Sequence, residues 1–107
     1  MRPAEALHSV ARVTTPKAAI YMKQLCRHFS HKWPVGWTDA DGWIEPPYGR
    51  WDLLAEPDVL ELRAAAADEE SLERLERVLA THLERFAFRD DLQIAWVRPP
   101  GQAPPPS

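Results

Sequence analysis

Residues 35–65 decide the fold, and they read VGWTDADGWIEPPYGRWDLLAEPDVLELRAA. Short apolar runs alternate here with three turn signals, which are DADG (39–42), PPYG (46–49) and EPD (56–58). In the first turn we expect Gly42 to adopt a positive φ. The pattern predicts four strands joined by tight turns, at 35–39, 43–45, 50–55 and 59–65. Since tight turns join antiparallel neighbours, the stretch predicts an antiparallel meander.

The last of these strands shows which kind of sheet to expect. Leu60, Leu62 and Ala64 alternate there with the charged Glu61 and Arg63. Such alternation indicates one buried face and one face in contact with water.

Helical periodicity flanks the meander on both sides. Before it, Thr15 as N-cap and Pro16 as first helical residue predict a helix that runs to about His31. After it, Asp68 predicts the N-cap of a second helix, which ends near Ala87. Apolar positions recur at spacings of three and four in both, at Ala18, Met22, Leu25, Cys26 and Phe29, and at Leu72, Leu75, Leu79, His82, Leu83 and Phe86.

Two more alternating segments, 8–14 and 92–97, predict outer strands. The expected order is therefore β-α-β-β-β-β-α-β. The fold class is α+β, a two-layer sandwich in which an antiparallel sheet carries both helices on one face. We expect a loose N-terminal leader over residues 1–7, a single α+β domain over 8–98 and a disordered Pro-rich tail over 99–107.

Composition narrows the class of protein. A chain of 107 residues with 45% hydrophobic and 27% charged residues is typical of one globular domain. The net charge of -3 argues against a nucleic-acid partner, because phosphate binding needs a cationic surface. One cysteine makes no internal disulfide, and no run reaches the roughly 20 apolar residues of a membrane span. With no secretory signal, these features predict a cytoplasmic protein without a membrane partner.

The candidate site is the stretch LCRHFSHK at residues 25–32. His28 and His31 are three residues apart, so a helix places them on one face, whereas Cys26 lies on the apolar stripe. Imidazole and thiolate groups ligate transition metals, which makes Cys26, His28, His31 and His82 the candidate metal ligands. Further donors for such a site would be His8, Asp39 or Asp41.

The same stretch also has simpler interpretations. Cys26 is expected to pack as a small buried hydrophobe. His28 and His31 are equally well explained as solvated cations at a helix C-terminus, where the helix dipole favours positive charge. His82, at the edge of an apolar helix face, is typical of a hydrogen-bonded core histidine.

The aromatic residues leave two alternatives open. Five tryptophans are many for this length, and most fall in or near the meander together with Tyr48. They predict either a stacking platform for an aromatic ligand beside Lys32 or simply core volume. No nucleotide-binding, hydrolase or paired-cysteine zinc motif occurs, so no residue pattern demands an enzyme.

Three segments together resemble a known family. They are Ala11-Arg12-Val13, the run from Cys26 to Lys32 (CRHFSHK), and HLERFAFR at residues 82–89. They are similar to the small bacterial domains called domain of unknown function 2218, over about residues 8–98. The marked positions here are Cys26, His28, His31, Lys32, His82, Arg85, Phe86 and Arg89.

The resemblance implies no established activity. It implies an accessory role in iron acquisition, because genes of this family lie near those for siderophore uptake and ferric-siderophore reduction. It also suggests that the ends of the two helices lie together. The candidate ligand-binding residues are then His28, His31, Lys32, His82, Arg85 and Arg89.

We therefore expect a small cytoplasmic binding module for an anionic small ligand or a protein partner. The alternatives are a metal-dependent or acid–base enzyme that uses His28 or His31, and a structural protein-interaction domain. The sequence specifies neither the ligand, nor a cofactor, nor the oligomeric state.

Overall fold

A computed structural model describes residues 7–99 of the chain. The elements in chain order are β1 (Leu7–Thr14), α1 (Ala18–Phe29), β2 (Val35–Trp37), β3 (Asp41–Ile44), β4 (Arg50–Ala55), β5 (Val59–Ala66) and α2 (Glu69–Phe86). The five strands form one antiparallel sheet in the order β1-β5-β4-β3-β2. The predicted α+β class is confirmed. The predicted leader, apart from Leu7, and the predicted tail, apart from Pro99, lie outside the described residues.

One face of the sheet is covered by both helices. The register aligns Ala11 with Leu62, Leu62 with Leu53, and Leu53 with Gly42, so these residues form a row on one face. α2 packs over β5 and β1, and α1 packs over β2, β3 and β4. The predicted stripes of both helices supply the core, with Leu72, Leu75, Leu79 and Leu83 of α2 fully buried.

Trp51 of β4 links the two layers. Its side chain is fully buried, and its Nε1 donates a hydrogen bond of 3.1 Å to the Leu75 carbonyl in α2. A buried indole needs such a partner, because an unpaired buried N–H is costly. The bond fixes α2 relative to the sheet.

The predicted strand at 92–97 is wrong as a regular strand. This segment runs beside β1, but only Val10 and Val97 form a bridge, with N–O distances of 2.9 and 2.8 Å. Alternate residues Leu92, Ile94 and Trp96 do pack against the core, as the alternation indicates. Because these side chains are held by the core rather than by β1, the backbone follows β1 without forming a continuous ladder.

The turn between β2 and β3 differs from the prediction. The Oγ1 of Thr38 accepts hydrogen bonds from the amides of Ala40 and Asp41, so the turn is shorter than expected. Gly42 therefore belongs to β3, where it pairs with Trp37, and the expected positive φ is wrong. Its lack of a side chain serves packing instead, because a Cβ there would lie 2.8 Å from the Sγ of Cys26.

Two of the predicted helix boundaries are wrong, and one is confirmed. α1 starts after Lys17, since the Oγ1 of Thr15 accepts the Lys17 amide at 3.1 Å and closes a turn first. It stops at Phe29, so His31 lies beyond the helix. Asp68 is the N-cap of α2 as predicted, accepting from the Ser71 amide at 2.8 Å. Neither helix is long and apolar enough to cross a membrane, within residues 7–99.

Candidate functional site

The C-terminus of α1 meets the last turns of α2. The imidazole of His28 lies against that of His82, with ring centroids 5.0 Å apart. Phe29 contacts both rings at 4.9 Å, and Phe86 contacts His28 at 5.6 Å. The structure thus brings together two of the predicted site residues, His28 and His82, from distant segments of the sequence.

Burial of Phe29 explains why these side chains meet. Phe29 is the last residue of the apolar stripe of α1 and is only 2% exposed. Its neighbour His28 therefore falls at the edge of the core, exposed to solvent on one side and in contact with α2 on the other. His82 is half-buried, and its Nδ1 lies 2.8 Å from the Val78 carbonyl. Since a carbonyl only accepts, this Nδ1 carries a proton, and Nε2 is the nitrogen left for other contacts.

A depression of about 270 Å³ opens beside His28. We call it the histidine pocket; it is lined by Gln24, Arg27, His28, His31 and Phe86. His31 stands in the turn after α1, where the Lys32 amide donates to the Phe29 carbonyl at 3.0 Å. The pocket therefore combines an apolar wall with imidazole and guanidinium groups.

The charges around His28 are positive. Its pKa lies below the ordinary value, first because the ring is partly desolvated and then because His82, His31 and Lys32 repel its proton. His28 consequently favours the neutral form more than an isolated histidine does. A negatively charged group in the histidine pocket would reverse this bias.

The other predicted site residues lie at varying distances from this pocket. The Lys32 ammonium sits over the Trp33 ring, 5.1 Å from its centroid, and the Arg89 guanidinium sits 5.3 Å from the Phe88 ring centroid. Arg85 is exposed in the last turn of α2. None of these three cations is among the residues that line the histidine pocket.

Cys26 is separate from the pocket. It is fully buried, and burial raises the pKa of its thiol to about 11. A thiol of this kind stays protonated at neutral pH, whereas metal binding and nucleophilic attack need the thiolate. Among residues 7–99, no group of three or more His, Cys, Asp or Glu side chains that could hold a metal ion is found.

The sequence contains a signal for the pocket that no known motif describes. Gln24, Arg27, His28 and His31 follow the spacing of one helix face, although α1 ends before the last of them. The periodicity of the sequence assigns the fifth lining residue, Phe86, to the apolar stripe of α2. It is half-buried at the edge of that stripe, and its contact with His28 makes it a pocket wall.

The aromatic residues contribute to the core and to a row of half-buried rings beside it. Trp51 is core, as the volume interpretation requires. Trp33 stacks on Phe29 with centroids 5.2 Å apart and planes 20° apart, and Tyr48 meets Trp33 edge-on at 5.9 Å. The Arg74 guanidinium lies 4.2 Å from the Tyr48 ring centroid. These half-buried rings continue from Phe29 away from the histidine pocket.

A larger depression, of about 470 Å³, lies on the sheet face without helices. It is lined by Asp41, Gly42, Trp43, Asp52, Leu53, Leu54, Glu61 and Arg63. Its charged groups form ion pairs. Arg63 pairs with Glu61 at 2.5 Å, and Arg12 also pairs with Glu61. Asp52 pairs with Arg50 at 3.0 Å. This is the wet face that the alternation in β5 predicts, and the charges on it neutralise one another.

The molecule is thus a small α+β domain in which an antiparallel sheet carries two helices whose ends meet beside a histidine-containing pocket. A family model described as an uncharacterized protein conserved in bacteria, domain of unknown function 2218, matches residues 10–97. The chain belongs to this family, and the resemblance noted in the sequence is thereby confirmed.

A solved structure supports the fold. The NMR structure of PA4090 from Pseudomonas aeruginosa superimposes with a TM-score of 0.74. The two chains are 37% identical over 85% of this chain and 95% of that one. No curated protein matches the chain.

Proposed function

We propose that this protein is a small cytoplasmic binding module that holds an anionic ligand in the histidine pocket. The observation that carries the proposal is the pocket itself, in which Arg27, His28 and His31 share one depression, while His82 and Lys32 are close enough to His28 to lower its pKa. Groups of like charge are held together at a cost, and an anion relieves it. The residues proposed to contact the ligand are Arg27, His28 and His31, with His82 behind them.

The shape of the pocket favours a ligand that is partly apolar. Phe86 forms one wall, and the imidazole of His28 lies edge-on to it with ring centroids 5.6 Å apart. An aromatic anion can place its charge beside Arg27 and its ring against Phe86. A ferric catecholate siderophore has this chemistry, which agrees with the role in iron handling that the family resemblance implies. Of the predicted cations outside the pocket, Lys32 is proposed to act through its charge on His28, and Arg85 and Arg89 to form an outer rim.

The test is a ligand titration read at the pocket itself. We would add benzenesulfonate, sulfate, a ferric tris-catecholate, Fe(III) and Zn(II) separately to the protein and record imidazole NMR signals and tryptophan fluorescence. Saturable shifts at His28 and His82 with an anion would support the proposal, and shifts with Zn(II) alone would favour the metal site instead. If no probe moves either imidazole, the binding function is refuted.

Matched variants locate the site. Arg27→Gln removes a pocket cation, whereas Lys17→Gln makes the same change of charge at the other end of α1. A charge-assisted hydrogen bond contributes about 1.5–3 kcal/mol, so Arg27→Gln should weaken anion binding roughly tenfold or more. Lys17→Gln should leave it nearly unchanged. Arg85→Gln tests whether the site extends beyond the pocket, as the sequence suggested.

A specific observation also favours the acid–base alternative. A histidine whose pKa is lowered is neutral, and so able to accept a proton, at neutral pH. His28 therefore has the protonation state that a general base needs. If His28 acts as a general base, the protein should hydrolyse a bound ester or phosphoester. The variant His28→Gln should then abolish this activity.

A further inference from the structure

We infer that anion binding in the histidine pocket is coupled to proton uptake by the His28–His82 pair, so that the site holds its ligand more tightly at acidic than at neutral pH. The inference rests on the proposed anion-binding function and adds its regulation. It starts from the contact of two imidazoles, 5.0 Å between centroids, at the rim of the depression.

The geometry disfavours a doubly charged pair in the free protein. Two imidazolium rings in contact repel each other, and Phe29 and Phe86 replace part of the water that would otherwise screen them. The other basic groups near His28 are Arg27, which lines the same pocket, and His31 and Lys32, which lower the pKa of His28. The free pocket is thus built to hold His28 neutral.

An anion changes that balance. It lies beside His28 in the histidine pocket, supplies the missing negative charge and raises the pKa of His28 toward or above its ordinary value. Binding then takes up a proton. By linkage, affinity for the anion is greatest at pH values below the pKa of His28 in the free protein. It decreases as the pH rises from that pKa to the higher pKa of His28 in the complex, and it is constant above that. Over that window one coupled proton changes Kd by up to about tenfold per pH unit.

His82 sets the position of the window. Its Nδ1 donates to the Val78 carbonyl, which favours the ring orientation that contacts His28. Removing its positive charge should raise the pKa of His28 in the free protein and move the coupling to higher pH. His31, on the opposite side and beyond α1, should have a smaller influence than either member of the pair.

The experiment uses benzenesulfonate, whose charge is constant across the range, and measures Kd by calorimetry from pH 5 to 8 at fixed ionic strength. The imidazole signals of His28 are titrated with and without the ligand. We expect Kd to increase several-fold or more across this range and the pKa of His28 to be higher in the complex.

Three variants separate the outcomes. His28→Gln should flatten the pH dependence while weak binding persists through Arg27. His31→Gln should weaken binding but keep most of the pH dependence, and His82→Gln should displace it to higher pH. Binding that is equally tight at all pH values overturns the coupling but leaves the binding function intact. Coupling that survives His28→Gln and disappears with His31→Gln also overturns it, and absence of binding at every pH refutes both proposals.

Discussion

Replacing Phe29 by Ala should destabilise the domain strongly, because this ring joins the core to the histidine pocket. Phe29 is 2% exposed and contacts four other rings: His28, Trp33, Trp51 and His82, at centroid distances of 4.9, 5.2, 5.3 and 4.9 Å. Truncation of a buried phenylalanine costs about 3–5 kcal/mol. With contacts in α1, β4 and α2, we expect the upper half of this range, about 4 kcal/mol.

Such a loss is a large part of the roughly 5–15 kcal/mol that stabilise an ordinary domain. The measurement is urea unfolding followed by tryptophan fluorescence, since Trp33 and Trp51 adjoin the cavity that the Phe29→Ala substitution would leave. With an m-value of about 1–3 kcal/mol per M, the midpoint should fall by more than about 1 M. Phe29→Leu keeps part of the volume and should cost clearly less than Phe29→Ala.

Phe88 offers a matched control, because it is 71% exposed and lies only two residues after α2. Phe88→Ala should change the free energy of unfolding by no more than about 0.5 kcal/mol. The reasoning is refuted if Phe29→Ala costs less than about 1.5 kcal/mol at an unchanged m-value, or if the two alanine variants are equally destabilised.

Three further outcomes can be measured. Gly42→Ala should destabilise the domain, because its Cβ would lie 2.8 Å from the Cys26 Sγ; Cys26→Ala should recover part of that loss in a double-mutant cycle, and additive effects would contradict the clash. Tyr21, whose pKa is raised to about 12 by burial and by its hydrogen bond to Asp90, contributes stability that is complete below its unfolded pKa near 10 and is lost as pH rises toward 12. Alkaline unfolding titrations should therefore show a steeper decline for the native protein than for Tyr21→Phe, and parallel curves would refute the assignment. Arg98→Gln should cost about 1 kcal/mol and speed amide exchange in residues 92–97 first, because Arg98 pairs with two carboxylates of α2; uniform exchange across the chain would argue against such an anchor.

The sequence predicted the architecture where pattern and burial agree. The alternation in β5 and the apolar stripes of both helices each identify the face that must be buried. Packing these faces against one another gives the two layers. The segment after α2 shows the limit. Its alternation correctly indicated that Leu92, Ile94 and Trp96 face the core, but alternation cannot tell an extended segment from a paired strand. Pairing depends on the neighbour, and here the core and α2 determine the path.

The candidate site was predictable only in part, for a similar reason. Local spacing predicts His28 and His31, His82 follows from its place at the edge of the apolar stripe of α2, and the family resemblance groups all three. The contact between His28 and His82 depends on how α1 and α2 cross over the sheet, which neither helix specifies alone. The same packing decides that Cys26 faces Gly42 in the core, away from the histidines with which it is grouped in the sequence.

The two surfaces of the domain differ in how their charges are compensated, and this difference supports the site proposed at the helix ends. On the open sheet face, guanidinium groups such as Arg50 and Arg63 pair with carboxylates on the same strands. Around His28, the acting charges are all of one sign. Paired charges are stable in water without a ligand. Grouped like charges lower the stability of the folded state unless an opposite charge lies nearby. An anion is the simplest such opponent, and its binding should make the folded protein harder to unfold in proportion to ligand concentration.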